Sequence, residues 1–188
     1  GTIVLWNMKD RTPVRRFKAH AGKVGSLVFI PGRAEFVSSG DDGAVRLWMV
    51  ARSLVTNLKE AGPGVTAMTV SSNGSVLYAA SDDGAVRGWN VSLRSVRGTI
   101  RFEDRQINSI AISPDGDLMA LAEEDESVLV WKIHESKVAW VNKLDNSALQ
   151  VKFSPDGKSL FTSGGDNWIR EWEASSGRFI RKFAGAGV

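Results

Sequence analysis

Five tryptophans close five short apolar runs at nearly constant spacing, and no other feature of this 188-residue chain restricts its fold as sharply. The runs read TIVLW at Trp6, AVRLW at Trp48, AVRGW at Trp89, SVLVW at Trp131 and NWIREW at Trp172, so successive indoles lie 42, 41, 42 and 41 residues apart. The preceding turn repeats as well, since SGDDGAVRLW at 39–48 returns as SDDGAVRGW at 81–89. Self-similarity at a fixed period of this size marks stacked copies of one supersecondary unit.

Upstream of each of the last four tryptophans an apolar run meets a turn: LVFIPGRAEF from 27, MTVSSNGSVL from 68, IAISPDGDLM from 110 and VKFSPDGKSL from 151. Pro-Asp-Gly and Asn-Gly between apolar runs are hairpin chemistry, because proline fixes φ and glycine accepts φ > 0. Each copy therefore reads as four short strands, a to d from the inside outward, with no helical period. In the first full copy strand a is KVGSLVFI, b is EFVSSG, c is AVRLW and d lies near SLVTNLK. Pro13, Pro31, Pro63, Pro114 and Pro155 all fall at turns or strand starts in this parse, where a missing N–H costs little. Segments such as LYAAS and LMALA are apolar on both faces. Such sheets need cover on both sides, which copies stacked around an axis supply.

Repeats of this length with four strands and a terminal tryptophan are the pattern of propeller blades, and over its whole length the chain resembles the WD-repeat (Trp-Asp repeat) β-propeller family. The fold expected is all-β, built of four-stranded antiparallel blades. The resemblance implies a structural relay of a histidine before strand a, a hydroxyl in strand b, an aspartate in the b–c turn and the strand c tryptophan. His20, Ser38, Asp42 and Trp48 occupy those places in the first full copy. The last copy keeps Thr162, Asp166 and Trp172, and the middle two keep Asp83 with Trp89 and Asp125 with Trp131. None of the five tryptophans is followed by aspartate.

Gly1 aligns with Gly43 and Gly84, so the expected parse is an outer half-blade over 1–18 and full blades over 19–60, 61–101, 102–143 and 144–188, all in one propeller domain. Such a partial ring is expected to belong to a larger propeller or to complete itself by association, since an open arc exposes apolar blade faces. A four-bladed ring with the first hairpin displaced is the other arrangement.

Composition narrows the function classes. A hydrophobic share of 43% with 24% charged residues is that of a globular domain. The net charge of +3 comes from scattered lysines and arginines, with no basic run to suit nucleic acid or a membrane surface. There is no cysteine, which removes thiolate chemistry and fits a cytoplasm, the setting favoured here, or a periplasm. Only His20 and His134 offer imidazole bases, and neither a serine elbow nor a phosphate loop is present. No enzyme activity and no cofactor or metal is expected.

The resemblance also implies a binding surface on the narrower top face, where a partner meets the residue before each turn aspartate and residues at the mouth of strand a. Carried over position by position, the former are Asp41, Asp82, Glu124 and Gly165. The latter are Lys23 with Gly25, Gly64 with Thr66, Gln106 with Asn108, and Ser147 with Leu149. Three successive blades thus present a carboxylate at equivalent places, which suits a basic peptide or protein segment. Acidic residues also simply suit turns. Trp168 departs from the small residues found at its equivalents and is a candidate interface anchor or a packing wedge. The alternative functional class is a hydrolase with a metal ion in the central channel, for which Glu123, Glu124 and Asn108 are the candidates, or a purely architectural segment.

Overall fold

The computed structural model describes residues 1–51, 55–58, 62, 64–102 and 105–184, and every regular element among them is a β-strand. A hairpin of β1 (Thr2–Asn7) and β2 (Thr12–Lys18) precedes four antiparallel sheets. Blade 1 contains β3 (Val24–Phe29), β4 (Glu35–Gly40), β5 (Val45–Met49) and β6 (Val55–Leu58); blade 2 contains β7 (Val65–Val70), β8 (Val76–Ser81), β9 (Ala85–Asn90) and β10 (Ser95–Arg101). Blade 3 contains β11 (Ile107–Ile112), β12 (Leu118–Glu123), β13 (Ser127–Lys132) and β14 (Lys137–Lys143); blade 4 contains β15 (Ala148–Phe153), β16 (Ser159–Gly164), β17 (Trp168–Glu173) and β18 (Phe179–Ala184). Each sheet is a simple meander, so strand order in space follows strand order in sequence.

The innermost strands stack in chain order, β3 beside β7, β7 beside β11 and β11 beside β15. No comparable packing joins β15 back to β3 among the described residues. The sheets therefore fan about one axis as part of a β-propeller. The first hairpin is not displaced, as a closed four-bladed ring would require. It lies on blade 1, with Phe17 packed edge-on against Phe36 and Trp48 at ring-centroid separations of 5.8 and 5.2 Å.

Local chemistry builds the repeated hairpin. In the a–b turn of blade 3, Asp115 accepts from the Ser113 hydroxyl and from the Asp117 N–H at 3.0 Å. Gly116 takes φ +85° and donates to the Ser113 carbonyl at 2.9 Å. Blade 4 repeats this with Ser154, Asp156 and Gly157, and blade 2 uses Ser71, Asn73 and Gly74. The short acceptor side chain nucleates the turn, and glycine supplies the left-handed φ at no steric cost.

The core lies in the seams. Val37, Leu47 and Leu58 of blade 1 meet Met68, Leu77 and Trp89 of blade 2. Tyr78 and Val86 then face Ile107, Ile110 and Leu121 of blade 3, and Ala120, Val128 and Val130 face Val151, Leu160 and Trp172 of blade 4. Burying each large aliphatic side chain contributes roughly 1.5–3 kcal/mol, so each blade owes most of its stability to its neighbours. Leu27 and Phe29 on β3, and Leu149, Ile169 and Phe183 in blade 4, are exposed. The Pro63 turn, part of the expected strand d of blade 1, the boundary at 60/61 and the last four residues lie outside the described residues.

Phe36 is fully buried between the first hairpin and blade 1. Phe36→Ala is expected to cost about 3–5 kcal/mol. Hydrogen exchange should then accelerate most in β1 and β2, with β12 and β13 little changed.

Candidate interaction face

At one end of blade 1 a polar chain crosses from the core to the rim. The Trp48 indole N–H donates to Ser38 Oγ at 2.9 Å, Ser38 Oγ lies 2.7 Å from His20 Nε2, and His20 Nδ1 lies 2.7 Å from Asp42 Oδ1. An indole can only donate and a carboxylate can only accept. Trp48 therefore donates at one end of the chain and Asp42 accepts at the other, with His20 between them and its Nδ1 also 2.6 Å from Arg46 Nη1. The aspartate also accepts from the backbone N–H groups of Ala21 and Ala44, each at 3.2 Å, and from Arg46 at 2.8 Å. Burial pushes the Asp42 carboxyl upward, but the hydrogen bonds from His20, Arg46 and the two N–H groups outweigh it and hold the group far below the usual carboxylate range.

The other blades keep the turn and change its support. Asp83, Asp125 and Asp166 each accept the N–H two residues on, at 3.1–3.2 Å. In blade 4, Trp172 donates to Thr162 Oγ1 at 2.9 Å, and Arg170 takes the histidine's part by reaching Asp166 and Asp145 at 2.5 and 2.6 Å. In blade 2, Arg87 grips both oxygens of Asp83. These pairs hold Asp83 and Asp166 below their ordinary value. The arginine four residues after the turn aspartate is a structural partner that the relay pattern omits, yet it is visible in sequence as DGAVR twice and DNWIR once. Blade 3 has Leu129 there, and Leu121 where blade 1 has Ser38. Its Trp131 N–H is buried without a partner among the described residues, and Arg105 and Ser127 instead bind the fully buried Glu123.

The expected contact residues meet in pairs at this face. The N–H of Asp41 donates to Lys23 O at 3.0 Å, Asp82 to Gly64 O at 2.9 Å, Glu124 to Gln106 O at 3.0 Å and Gly165 to Ser147 O at 3.0 Å. One backbone bond thus sets the residue before each turn aspartate beside the mouth of strand a. Asp41, Asp82 and Glu124 are exposed, but two of their carboxylates fold back. Asp41 Oδ2 accepts the Lys23 N–H at 2.9 Å, and Asp82 lies against Gly64, where an added Cβ would sit 1.7 Å from its carboxylate. Asp82, Asp83 and Gly84 face Arg105 and Gln106 across a recess of about 330 Å³ between blades 2 and 3, so the rim there carries a cation as well.

Thr66 donates to Ala80 O at 3.3 Å, and Asn108 donates to Ala148 O at 2.9 Å, tying blade 3 to blade 4. Leu149 is exposed. Trp168 lies half-buried beneath Lys182, whose ammonium sits 4.3 Å from the ring centroid. The channel-metal candidates do not converge: Glu123 is turned into blade 3, Glu124 is exposed and the Asn108 amide is spent on blade 4. Among the described residues no three His, Asp or Glu side chains gather to hold a metal.

Recurring blades with a strand c tryptophan and a turn aspartate define a propeller of the WD-repeat class. Family models agree: the WD domain, G-beta repeat, matches residues 11–49 and 52–90, and the anaphase-promoting complex subunit 4 WD40 domain matches 110–186. The chain belongs to the WD-repeat family. It is 26% identical to Transducin beta-like protein 3 of Bos taurus across 95% of this chain and 24% of that protein. It is 25% identical to Periodic tryptophan protein 2 of Arabidopsis thaliana across 93% and 20%, and 23% identical to Autophagy-related protein 16 of the same organism across 93% and 35%. The chain spans about a quarter of the length of the first of these relatives.

Ser38→Ala leaves both the Trp48 N–H and His20 Nε2 without a partner and is expected to cost roughly 2–4 kcal/mol in denaturant unfolding. Ser38→Thr, which keeps the oxygen as Thr162 does, should cost far less. The depressed turn aspartates set the acid limit. Unfolded, each binds a proton near the ordinary 3.8; folded, each resists until lower pH. Their stabilisation is complete above that value and lost as pH falls below it. Melting temperature should fall steeply below about pH 4, and less steeply in Asp42→Asn, which starts lower.

Proposed function

We propose that this chain is a non-enzymatic interaction scaffold, a WD-repeat propeller segment that takes a basic peptide or protein segment on the face carrying the b–c turns. The observation that carries the reading is the recurrent backbone bond at the mouth of strand a, which holds Asp41, Asp82 and Glu124 at equivalent places on successive blades. Like charges on one rim raise the local negative potential despite a net charge of +3, and they steer a cationic segment into register. Lys23, Thr66, Asn108, Leu149 and Trp168 border the same face; the Thr66 and Asn108 side chains are held by internal bonds and shape it, while the exposed Lys23 and Leu149 meet the partner.

The exposed apolar residues of β3 and blade 4 support a second element of this reading, that the segment works as part of a larger or self-associated propeller. Light scattering of the isolated chain should then report more than one copy per particle; a stable monomer would count against self-association.

The acidic rim is tested by reversing Asp41 and Asp82 together to lysine. Capture of a lysine-rich peptide should weaken about tenfold and lose its salt dependence, while the melting temperature changes by only a few degrees. Unchanged capture would reject the rim as the contact.

A further inference from the structure

Four of the sheets have four strands and the first has two. The hairpin of β1 and β2 keeps the register of strands c and d, down to the irregularity beside its tryptophan that blades 2, 3 and 4 repeat. In every full blade strand c is paired on both sides, with strand b along its inner edge. Among the described residues β1 pairs with β2 alone, so its inner edge is free. A free edge is a template for another strand.

The floor beside that edge is unfinished in the same way. By register Leu27 and Phe29 of β3 correspond to Met68 and Val70, to Ile110 and Ile112, and to Val151 and Phe153. All six of those residues pack into a seam with the preceding blade; Met68 and Val70, for example, share a cluster with Val28 and Val37 on strands a and b of blade 1. The first hairpin brings no such inner strands, and Leu27 and Phe29 are 41% and 54% exposed. Ile3, Leu5 and Phe17 hold the hairpin on blade 1. Side chains alternate along a strand, so Val4 and Trp6 point the other way, and Trp6 is 53% exposed where Trp48 is 7%.

The full blades show what strand fits there. Opposite the strand c tryptophan, strand b carries Phe36, Leu77, Met119 or Leu160, and the next residue is Val37, Tyr78, Ala120 or Phe161. The third residue is a hydroxyl in blades 1 and 4. There it accepts the indole N–H, Trp48 to Ser38 and Trp172 to Thr162, each at 2.9 Å. Phe36 also stacks on Trp48, with ring centroids 6.0 Å apart and planes 8° from parallel. A strand added to β1 covers the Trp6 indole N–H, and a covered donor needs an acceptor. Trp6, Leu5 and Val4 are the counterparts of Trp48, Leu47 and Arg46. The matching strand therefore has a large apolar residue opposite Trp6, a second opposite Leu5 and a serine or threonine opposite Val4.

We propose that the free edge of β1 takes up an extended segment of a partner protein by strand addition, reading the pattern apolar, apolar, Ser or Thr. Backbone bonds to β1 supply affinity and the side chains supply choice. The first side chain packs on Trp6, the second closes over Leu27 and Phe29, and the hydroxyl accepts the Trp6 indole N–H. This inference rests on the reading of the chain as part of a larger propeller and names what its first sheet takes; the turn-bearing face has no part in it.

The probe is an acetylated, amidated peptide Glu-Phe-Val-Ser-Ser-Gly, which copies β4. Added to the whole ¹⁵N-labelled chain, it should move the Trp6 indole resonance saturably, that resonance being assigned by its loss in Trp6→Phe, and slow hydrogen exchange across Thr2–Asn7. Glu-Phe-Val-Val-Ser-Gly, which lacks the acceptor, should bind about tenfold more weakly, and a scrambled peptide should not bind. Trp6→Phe, followed by exchange, should take both peptides alike. Phe29→Glu charges the floor without touching the edge and should abolish both responses. The proposal is overturned if the first peptide leaves the Trp6 resonance and β1 exchange unchanged, if the valine peptide binds equally, or if folded Phe29→Glu protein responds as the parent does. Trp6→Phe carries the test if Phe29→Glu does not fold. Light scattering of the same samples keeps the two readings apart: a monomer that binds the peptide drops self-association alone, and a multimer indifferent to it drops this inference alone.

Discussion

A sheet whose inner strands are buried along their whole length has no face to offer water. Strand β8 is buried at every position from Val76 to Ser81, and β12 at every position from Met119 to Glu123. Either sheet alone would expose two apolar surfaces, which no side-chain rearrangement could hide. The fan of blades follows from this single requirement, since each seam covers one face of two sheets at once. It also explains why the hydrophobic core is distributed over several seams, each formed by consecutive copies, and why repeat architectures become stable only as neighbours accumulate.

Repetition of the apolar pattern fixes stacking but leaves each blade free to slide, and the polar chain at its rim restrains that freedom. In blade 1 the chain from Trp48 to Asp42 links strand c, strand b, the segment before strand a and the b–c turn. Blades 2 and 4 reach a similar end without the histidine, through the strand c arginine and its turn aspartate, a little-exposed ion pair that blade 1 has as well. Blade 3 satisfies the turn differently and leaves the Trp131 indole unpaired among the described residues. An unmade buried bond costs about 1–3 kcal/mol, so rim restraint is weaker in blade 3 than in blade 1.

The sequence made the blades legible because their signals are local: a turn residue, a tryptophan and a period survive without knowledge of partners. The relay of blade 1 and the pairing of Asp41 with Lys23 could be placed in the same way, by register against a known pattern. Arg46, Arg87 and Arg170 escape such a placement although their spacing from the aspartates repeats, because a charged residue in a strand reads as solvent-facing until its partner is known. Glu123, a candidate only for the alternative channel-metal class, looks solvent-facing in sequence for the same reason. Where a small residue stands at that position in blade 1, the His20 ring packs over Gly40; blade 3 lacks that imidazole, and a carboxylate held by Arg105 and Ser127 takes its side of the turn.

Departures from the repeat therefore fall into two kinds, separated by whether the blade repairs them. Arg170 with Asp145 and Glu123 with Arg105 replace a lost relay with new bonds inside the same blade, so these substitutions serve the fold. The Gly88 and Gly98 pair is not repaired: Tyr78 covers one glycine and the space above the other stays open, beside a cation with no internal partner among the described residues. Two glycines in adjacent strands weaken a sheet by entropy and lost packing. The next seam is matched to its own neighbour: Gly177 leaves room for Trp140, whose ring lies 2.5 Å from where a Cβ on that glycine would stand, whereas Ser136 takes that room between blades 2 and 3.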